Sequence, residues 1–493
     1  MRSVSASMLR DLLLCERRLA LDLHGDQSRR EETSAFVQML WRDGLAHEAD
    51  ILAALPGPVA DLRGLDRADR EIATSIAVSN EVPTILGAVI TFADLVGMPD
   101  IMRWTSRGHI ALDVKAGAAL EGPRQTYKPT YLAQVSHYAH ILAATGMGRG
   151  DISGIVDRNG NETIYDLNLP LGRAGTTGAE RHLELLSDAR LIRDGGRDTT
   201  GAMCAMCAMC DWRAVCREDL RDADDLTQLA GLGRAIRELV RPVATTVTEL
   251  ARLEPAGRPA LPGIGEERLD RFVQRARLWA DTASGPVAYA PIALGPNAHS
   301  IDFDVEADPT RGIVYLHGFW HDRADTDGEF VHFFAPTIDD AGERSAFADA
   351  VAHFRRHRDA QWFHYSSYEK TAYKALQRRH PSVCDEGEID EIFAQERCTD
   401  LYKVIAADTD WPLSSYGLKS VARACGFSWS DLDPGGANSI QWFDDFARTG
   451  DEMLRERIII YNRDDVRASA VVRNALVELG ETGRIAAFQR PSK

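Results

Sequence analysis

The chain has 493 residues, the length of about three ordinary domains. Hydrophobic residues make up 44% of the sequence and charged residues 27%, an ordinary globular balance that allows sizeable cores. The formal net charge of -17 at pH 7 argues against a protein that coats nucleic acid, because neutralising phosphates needs Lys and Arg. It leaves open a metal-dependent nuclease, in which carboxylates concentrate and a basic groove is local.

The N-terminal stretch MRSVSASMLRDLLLCERRLALDLHG predicts one amphipathic helix and not a signal peptide, because charged residues interrupt its leucines. No apolar run in the sequence approaches the ~20 residues that a membrane span needs. We therefore expect a soluble, cytoplasmic protein. In that compartment, clustered cysteines bind metal more often than they form disulfides.

Polar residues follow in an order that suits phosphodiester hydrolysis. The segment WRDGLAHEADIL predicts a helix on which Gly44 and His47 share a face. Asp100 enters a predicted strand in VGMPDIMRW. Asp113 and Lys115 project from one side of the strand predicted by HIALDVKAG.

The segment PTYLAQVSHYAHIL predicts a further helix, with Pro129 near its start and with Gln134 and Tyr138 one turn apart. Two carboxylates can hold Mg²⁺ or Mn²⁺, which activates a water and withdraws charge from the phosphate. A neighbouring lysine can stabilise the developing charge, and a histidine nitrogen suits Mn²⁺ as a further ligand. This order of residues therefore indicates a candidate nuclease site.

Four of the eight cysteines lie in the run MCAMCAMCDWRAVC, at Cys204, Cys207, Cys210 and Cys216. Zinc and an iron–sulfur cluster both take four thiolates, and repeated C-x-x-C spacing is typical of the cluster. Cys15 is a fifth candidate ligand. The residues alone leave two sets open, one made of the four clustered cysteines and one made of Cys15 with the last three of them.

Together these motifs resemble the RecB-like branch of the PD-(D/E)xK nucleases, over about residues 1–220. The matched residues are His47, Asp100, Asp113, Lys115, Gln134 and Tyr138. The resemblance implies a restriction-endonuclease-like core in which the first three bind metal, Lys115 is the catalytic lysine, and the last two position the substrate or the site. Asp94, in TFADLVG, is the alternative to Asp100.

The same resemblance extends to the cysteines. Several RecB-like nucleases carry an iron–sulfur cluster with one cysteine upstream of the nuclease core and a C-x-x-C-x5-C trio downstream. The ligands implied here are Cys15, Cys207, Cys210 and Cys216, with Cys204 spare. The implied cofactor is a [4Fe–4S] cluster that joins the two ends of the domain, with zinc as the alternative.

Residues 223–283 change in character. LAGLGRAIRELVR and LPGIGEERLDRFVQRAR each place a glycine turn before an amphipathic helix, which resembles helix–hairpin–helix sequence. In that family the turn and the helix N-terminus approach a phosphate. The resemblance implies nucleic-acid contacts at Gly263, Gly265 and Arg268, and a compact helical spacer is the alternative. The arginines expected on one basic face are Arg268, Arg271, Arg275 and Arg277.

The C-terminal part contains a second set of carboxylates. HSIDFDVEADP alternates like a strand, so Asp302, Asp304 and Glu306 share one face, an unfavourable cluster of charge unless a cation lies there. GIVYLHGFW predicts the next strand of a hairpin. QWFHYSSYEKTAYKAL predicts a strand and then a helix, with Glu369 in its first turn. Asp400 precedes another helix, and we expect it either to support the metal ligands or to be structural.

The segment IIIYNRDDVRASAVVRNAL predicts a helix that presents Tyr461 and Asp465 on one face. Separated carboxylates with a tyrosine can build a two-metal site. The region of about 290–480 resembles the RNase H-like 3′–5′ exonucleases of the DEDD group, tyrosine subtype. The matched residues are Asp304, Glu306, Glu369, Tyr461 and Asp465. Glu369 stands where the group has aspartate, and Asp302 is the alternative to Asp304.

The arrangement as a whole resembles a bacterial family of two-nuclease proteins and implies an α/β multi-domain protein. The expected parts are a PD-(D/E)xK nuclease domain with the cysteine-ligated cluster at 1–222, a small all-α helical-hairpin segment at 223–283, and an RNase H-like domain with a mixed sheet and helices at 284–493.

The function expected from the sequence is that of a metal-dependent nuclease using Mg²⁺ or Mn²⁺, an exonuclease on single-stranded DNA, with DNA repair as one possible pathway. Two alternatives stand beside it. In one, a single domain is active and the second is degenerate. In the other, the chain is a non-catalytic iron–sulfur partner of a helicase that binds nucleic acid. No Walker-type motif appears, so any unwinding would come from such a partner.

Overall fold

The computed structural model describes residues 2–173, 175–255, 259–281, 283–292, 294, 299–323 and 328–490. The chain divides into two compact units, Met1–Arg217 and Glu218–Lys493. Each unit combines helices with sheets, so the expected α/β multi-domain class is confirmed. A search of the described residues for a membrane-crossing helix, which needs both length and low polarity, finds none.

The first unit contains a six-stranded mixed sheet in the order β11-β10-β7-β6-β3-β2 and smaller sheets beside it. Its strands are Val4–Ser5 (β1), Val59–Asp61 (β2), Thr84–Leu86 (β3), Ile90–Phe92 (β4), Leu95–Gly97 (β5), Ile101–Thr105 (β6), Gly108–Val114 (β7), Leu120–Glu121 (β8), Thr126–Tyr127 (β9), Ile152–Val156 (β10), Glu162–Asp166 (β11), Pro170–Leu171 (β12) and Thr176–Thr177 (β13). Its helices are Ala6–Leu14 (α1), Glu16–His24 (α2), Ala35–Ala53 (α3), Arg67–Ser79 (α4), Pro129–Ala144 (α5), Gly178–Arg193 (α6) and Arg213–Asp222 (α7), the last of which runs across the division.

The centre of this sheet is buried on both faces. β7 is buried along almost its whole length, and α5, which is also buried, lies against β7 and β10. Pro129 begins α5, where its fixed φ suits the first helical position and its missing N–H costs nothing. Because β6 and β7 pair antiparallel, the carboxyl end of β7 lies beside the start of β6.

The N-terminal segment differs from the single helix predicted. It forms α1 and α2, which are separated at Cys15, whose backbone is extended (φ -167°, ψ 114°). The N–H of Cys15 ends α1 by donating to the Asp11 carbonyl, and the residue then serves as the N-cap of α2. The prediction of one continuous helix was therefore wrong, because hydrophobic periodicity cannot reveal a one-residue break that preserves the buried face.

The second unit begins with short helices and continues into a five-stranded mixed sheet in the order β17-β16-β15-β18-β19. Its helices are Arg234–Val240 (α8), Val247–Ala251 (α9), Glu266–Ala280 (α10), Asp340–Arg356 (α11), Tyr368–Arg379 (α12), Glu386–Ile392 (α13), Leu401–Asp408 (α14), Leu418–Ala424 (α15), Gly436–Thr449 (α16) and Glu452–Thr482 (α17). Its strands are Val287–Ala288 (β14), His299–Asp308 (β15), Ile313–Arg323 (β16), Glu329–Phe334 (β17), Gln361–His364 (β18), Cys398–Asp400 (β19) and Thr409–Asp410 (β20).

Strand β15 organises the second unit. It pairs antiparallel with β16 and parallel with β18. One core, which contains Phe303 and Phe319, lies between the sheet and α11 and α12; the other lies on the opposite face beneath α16 and α17. Because side chains alternate along a strand, Asp304 and Glu306 face α17 while Phe303 faces α11.

Gly318 permits the close approach of α17 to the sheet. Gly318 is the cross-strand partner of Asp304, and a Cβ built on it would lie 1.7 Å from Asn462 Oδ1. Asn462 Nδ2 in turn donates to Asp304 Oδ2 at 2.8 Å. A glycine inside a strand often marks such a close approach, and here it sets the distance between the strand and the helix that carry the acidic residues.

We expect Gly318→Ala to lower the free energy of unfolding by about 2–3 kcal/mol, because the added methyl group forces α17 away from the sheet. Gly436→Ala is the matched control, since a Cβ there meets nothing within 4 Å at the first position of α16. Urea unfolding followed by tryptophan fluorescence measures both. Equal stability of the two variants would contradict the proposed contact.

Candidate functional site

Three carboxylates converge between β15 and α17. Oxygen atoms of Asp304, Glu306 and Asp465 all lie within 4.8 Å of one another. Glu306 and Asp465 are each 7% exposed, and Asp304 is half-buried. We refer to these three residues as the acidic centre. Oxygen donors at this spacing suit a hard divalent cation.

The electrostatics of the acidic centre disfavour the fully ionised state. Burial raises the pKa of Asp304 well above its usual range, and the nearby carboxylates of Glu369 and Asp465 raise it further. Burial, together with Asp304 and Asp465, does the same to the pKa of Glu306. Like charges this close cannot all ionise cheaply in a buried site, so the centre is suited to a positive ion.

A separate neutral donor fixes each carboxylate. Asn462 Nδ2 donates to Asp304, Ser439 Oγ donates to Glu306 Oε2 at 2.8 Å, and Trp429 Nε1 donates to Asp465 Oδ1 at 2.6 Å. The sequence did not reveal these three donors. Asn462 alone left a signal, because it stands on the same helix face as Asp465, three residues before it.

Tyr461 is almost fully buried beside the acidic centre. Its hydroxyl accepts a hydrogen bond of 2.7 Å from Lys419 Nζ, which also lies 3.7 Å from Asp465 Oδ2. Burial and the neighbouring Asp465 and Glu306 carboxylates raise the pKa of Tyr461 well above its usual range, so it stays a neutral phenol. Lys419 was not identified from sequence, since a lone lysine in a short helix carries no pattern.

Glu369 lies close to the acidic centre but outside its tight group. It sits in the first turn of α12, is 3% exposed, and its Oε2 lies 3.3 Å from His364 Nδ1. Burial raises the pKa of Glu369 to about 8, and a hydrogen bond joins it to Asp304. Ser366, just before the helix, has φ 96° and is held by its N–H to Asp400 Oδ1, so the entry to α12 is a constrained turn.

The remaining acidic candidates of this unit make structural contacts. Asp302 is fully buried and paired with Arg473, whose Nη2 lies 3.0 Å from its Oδ2. Burial raises the pKa of Asp302 to about 6, although Arg473 opposes the shift. Asp400 is the N-cap of α14. Of the two rivals Asp302 and Asp304, the structure brings Asp304 to the acidic centre.

In the first unit, Asp100 and Asp113 lie together with Lys115. Lys115 Nζ is 2.6 Å from Asp113 Oδ2, and Asp100 Oδ2 accepts from the Val114 N–H at 2.7 Å. Burial raises the pKa of Asp100 well above its usual range, and Asp113 and Glu48 add to the shift. Burial alone would lower the pKa of Lys115, but Asp113 and Asp100 outweigh it and raise the pKa.

Helix α5 brings Tyr138 to the same place. Burial raises the pKa of Tyr138 well above its usual range, and Asp113 and Asp100 contribute to the shift. A Cβ on Gly97 would lie 2.9 Å from a ring carbon of Tyr138, so the glycine admits the ring. Gln134 is buried one turn earlier on α5.

Helix α3 contributes Glu48, which the sequence analysis missed. Burial and the Asp113 carboxylate raise the pKa of Glu48, which places it beside the carboxylates. The neighbouring His47 is half-buried, and its Nε2 is buried with no hydrogen-bond partner in the described parts of the chain. Within those parts, no hydrogen bond or ion pair joins His47 to Asp100 or Asp113.

Asp94 is held by two arginines. Arg190 Nη2 lies 2.5 Å from one carboxylate oxygen and Arg193 Nη1 lies 2.6 Å from the other. Hydrogen bonds from these guanidinium groups hold the pKa of Asp94 far below its ordinary value. Asp94 therefore ties the β4–β5 turn to α6, while Asp100 is the residue that meets Asp113.

Cys15 lies beside three cysteines of the 204–216 run. Burial raises the pKa of Cys207 to about 11 and that of Cys216 to about 12, and Cys15 adds to the shift in both, as it does for Cys210. Trp212 is buried against α2 and donates from Nε1 to Asp22 Oδ1 at 2.8 Å. Cys204 is exposed, and its Sγ lies 3.7 Å from that of Cys207.

The glycine turns precede α8 and α10 as predicted, with Gly265 as the N-cap of α10 and Gly263 at φ 87°. Arg268 is exposed on α10. The expected face of four arginines was wrong: Arg271 and Arg275 both pair with the buried Asp410, at 2.8 and 2.7 Å. Arg277 donates to the carbonyls of residues 251 and 253.

Comparisons with known proteins agree with part of these expectations. A family model described as RNase H superfamily matches residues 301–477, which contain β15, α12 and α17. The second unit therefore contains an RNase H-like domain. A comparison with curated proteins finds no match to the chain. The RecB-like and iron–sulfur parts of the interpretation stay predictions.

Replacing Asp94 and Asp100 in turn distinguishes a carboxylate that stabilises the fold from one that is a candidate metal ligand. A depressed pKa in the folded state means that the ionised carboxylate stabilises the fold above pH 3.8, and that this contribution is lost as the pH falls below that value. We expect Asp94→Asn to lower stability by about 1–3 kcal/mol at pH 7 and by progressively less below pH 4. Asp100→Asn, the matched control, should not lower stability without divalent metal, because it removes like-charge repulsion.

Thermal unfolding between pH 3 and 7 measures both variants. An Asp94→Asn deficit that stays constant across this range would contradict the ion-pair role. A deficit in Asp100→Asn as large as that in Asp94→Asn at pH 7 would contradict the assignment of the two residues.

Proposed function

We propose that this protein is a metal-dependent nuclease that hydrolyses phosphodiester bonds. The observation that carries the proposal is the convergence of Asp304, Glu306 and Asp465 oxygens within 4.8 Å, in a domain that matches the RNase H superfamily. Nucleic acid is the substrate class that such a domain implies, and single-stranded DNA ends are the substrate expected from the sequence.

The residues fit Mg²⁺ or Mn²⁺. All three donors of the acidic centre are carboxylates, and the raised pKa values of Asp304 and Glu306 reflect the cost of keeping those two charged without a cation. Lys419 is 3.7 Å from Asp465, so one ammonium opposes several carboxylates. Bound divalent ions would activate a water and stabilise the charge that develops on the phosphate. Asp304, Glu306 and Asp465 would hold them, with Glu369 beside Asp304.

The other side chains position this set. The donors Asn462, Ser439 and Trp429 fix the carboxylate oxygens before substrate arrives, so little reorganisation is needed during the reaction. Tyr461, kept neutral by its surroundings, can donate a hydrogen bond to an oxygen at the reacting phosphate. Lys419 orients that hydroxyl and supplies positive charge next to it.

We further propose a second nuclease site in the first unit. The support is the cluster of Asp100, Asp113 and Lys115 at the end of β7, with Tyr138 beside it. Glu48 would add a carboxylate to the set. His47, with a buried nitrogen that lacks a partner among the described residues, would join as a ligand after a change of rotamer. Gln134 would help to position the site.

We propose that Cys15, Cys207, Cys210 and Cys216 bind a [4Fe–4S] cluster. The support is that Cys15 lies beside the other three cysteines, although about 190 residues separate them in the chain. The C-x-x-C spacing of Cys207 and Cys210 is typical of such clusters. Zinc, which also takes four thiolates, is the alternative.

The alternative of a single active domain has an observation in its favour. Glu369 is one methylene longer than the aspartate expected there, and it is hydrogen-bonded to Asp304. If this bond persists when metal is bound, the second unit would bind nucleic acid without cutting it. Exposed Gly263, Gly265 and Arg268 at the start of α10 would add contacts to the substrate backbone.

Single and double variants separate these alternatives. We expect Asp465→Asn and Lys115→Ala each to remove one activity by on the order of 100-fold, and the double variant to be inert with Mn²⁺. The assay follows end-labelled single-stranded DNA and RNA in Mg²⁺ or Mn²⁺. Glu452→Gln, an exposed change at the start of α17, is the control and should match the wild type.

Full activity in the double variant would overturn both sites. If one single variant loses all activity and the other keeps full activity, only one domain is an active nuclease. Tight binding by the wild type without cleavage in either metal identifies the helicase-partner alternative.

Replacing the cysteines tests the cluster. We expect Cys15→Ser to lose the visible absorption, iron and sulfide of the anaerobically purified protein and to melt at a much lower temperature, because cluster ligation joins α2 to the 204–216 run. Cys204→Ser is the matched control and should keep the cluster. Iron, sulfide and zinc assays with a visible spectrum provide the measurement. One zinc per chain with no iron would contradict the cluster and support the zinc alternative.

A further inference from the structure

Four histidines meet on the face of the second unit's sheet opposite the acidic centre. We refer to His299, His321, His353 and His357 as the histidine cluster. His299 begins β15 and His321 lies on β16, where Ile301 is its cross-strand partner, so both side chains share the face of Phe303. His353 is in the last turn of α11, and His357 follows as its C-cap.

Three of these rings direct a nitrogen to one place. Nitrogens of His299, His321 and His357 all lie within 4.8 Å of one another. His299 Nε2 and His321 Nδ1 are 3.2 Å apart. Two imidazole ligands of a tetrahedral zinc ion, with Zn–N bonds of about 2.0–2.1 Å, have nitrogens about 3.3 Å apart, so the pair already has the spacing of ligands.

The convergence of three imidazole nitrogens suits a cation. A neutral imidazole has one N–H donor and one acceptor nitrogen, and the acceptor nitrogen can bind a metal ion. Three nitrogens that face a common point can all act as acceptors toward a metal ion. Imidazole donors favour zinc and its transition-metal neighbours, whereas Mg²⁺ prefers oxygen.

The fourth histidine orients the group. His321 Nε2, the nitrogen turned away from His299, lies 2.9 Å from His353 Nε2. His353 is 2% exposed, and its ring lies 4.6 Å from that of Phe319 and 6.3 Å from that of Trp362. A metal-binding histidine commonly uses its second nitrogen in such a bond, which fixes the ring and the tautomer.

We propose that His299, His321 and His357 bind Zn²⁺, with His353 positioning His321. The site would tie the start of β15 and the far end of β16 to the C-terminus of α11, and it would stabilise the domain. It lies across the sheet from Asp304 and Glu306 and does not depend on the nuclease function.

Zinc content of the full-length protein tests the proposal. His299→Gln, His357→Gln and, as the matched control, the exposed His332→Gln on β17 are loaded with Zn²⁺ in excess Mg²⁺, which occupies the carboxylates, and then washed. Zinc per chain is measured, and circular dichroism checks the fold. Zinc bound by cysteines is the same in every protein and cancels in the comparison.

We expect the wild type and His332→Gln to retain one zinc more than the other two variants, which should bind Zn²⁺ at least tenfold more weakly. Zn²⁺ should also raise the melting temperature of the wild type by more than that of His357→Gln. Because His357 is half-buried and follows the last residue of α11, its variant keeps the test valid if His299→Gln does not fold. Equal zinc content in all four proteins would overturn the proposal.

Discussion

The second unit packs several carboxylates close together between β15 and α17, and their mutual repulsion is the main constraint on this part of the fold. Two carboxylates close together in an interior of low effective dielectric repel each other far more strongly than in water. Asp304, Glu306 and Asp465 are nevertheless packed within 4.8 Å, and Glu369 adds a fourth carboxyl nearby. The fold tolerates this because a neutral donor holds one oxygen of each of the three carboxylates, and because burial favours the protonated forms of Asp304 and Glu306. A divalent cation would replace those protons, so binding of metal and stability of this domain are linked.

The confinement requires an approach that only glycine allows. The helix lies so close to β16 that the Asn462 side chain occupies the space of a Cβ at residue 318. This contact fixes the position of Asp304 relative to α17, because Asn462 also donates a hydrogen bond to the Asp304 carboxylate. The first unit uses a similar device, in which Gly97 leaves space for the Tyr138 ring beside Asp113. In both units, therefore, a glycine on one element makes room for a side chain of the candidate site on another.

Sequence alone located the carboxylates of the acidic centre better than the residues that hold them in place. Alternation in DFDVE correctly put Asp304 and Glu306 on one strand face, and helical spacing put Tyr461 and Asp465 on one helix face. Both inferences are local, since they depend on periods of two and 3.6 residues.

The supporting residues escaped because their roles arise only from tertiary structure. Ser439, Trp429 and Lys419 come from separate segments and follow no shared spacing. The same reason explains the error about the arginines of α10. Their spacing predicts a common face, but it cannot show that the face meets the buried Asp410, which binds Arg271 and Arg275 inside the unit. A row of arginines in the sequence therefore shows only that positive charge is present. Whether this charge can reach nucleic acid depends on whether the arginines pair with a buried carboxylate.

The two faces of the β15–β16 hairpin carry different donor atoms, and this has a chemical consequence. Residues of one parity along β15 present carboxylate oxygens toward α17, while His299, of the other parity, joins His321 and the end of α11 on the opposite face. Hard cations prefer the first set and zinc-like ions the second. The sheet and its two cores separate the two sets, so the carboxylates and the proposed zinc ligands lie in different surroundings. The alternation that defines a β-strand thus keeps the carboxylate donors and the imidazole donors apart within a single domain.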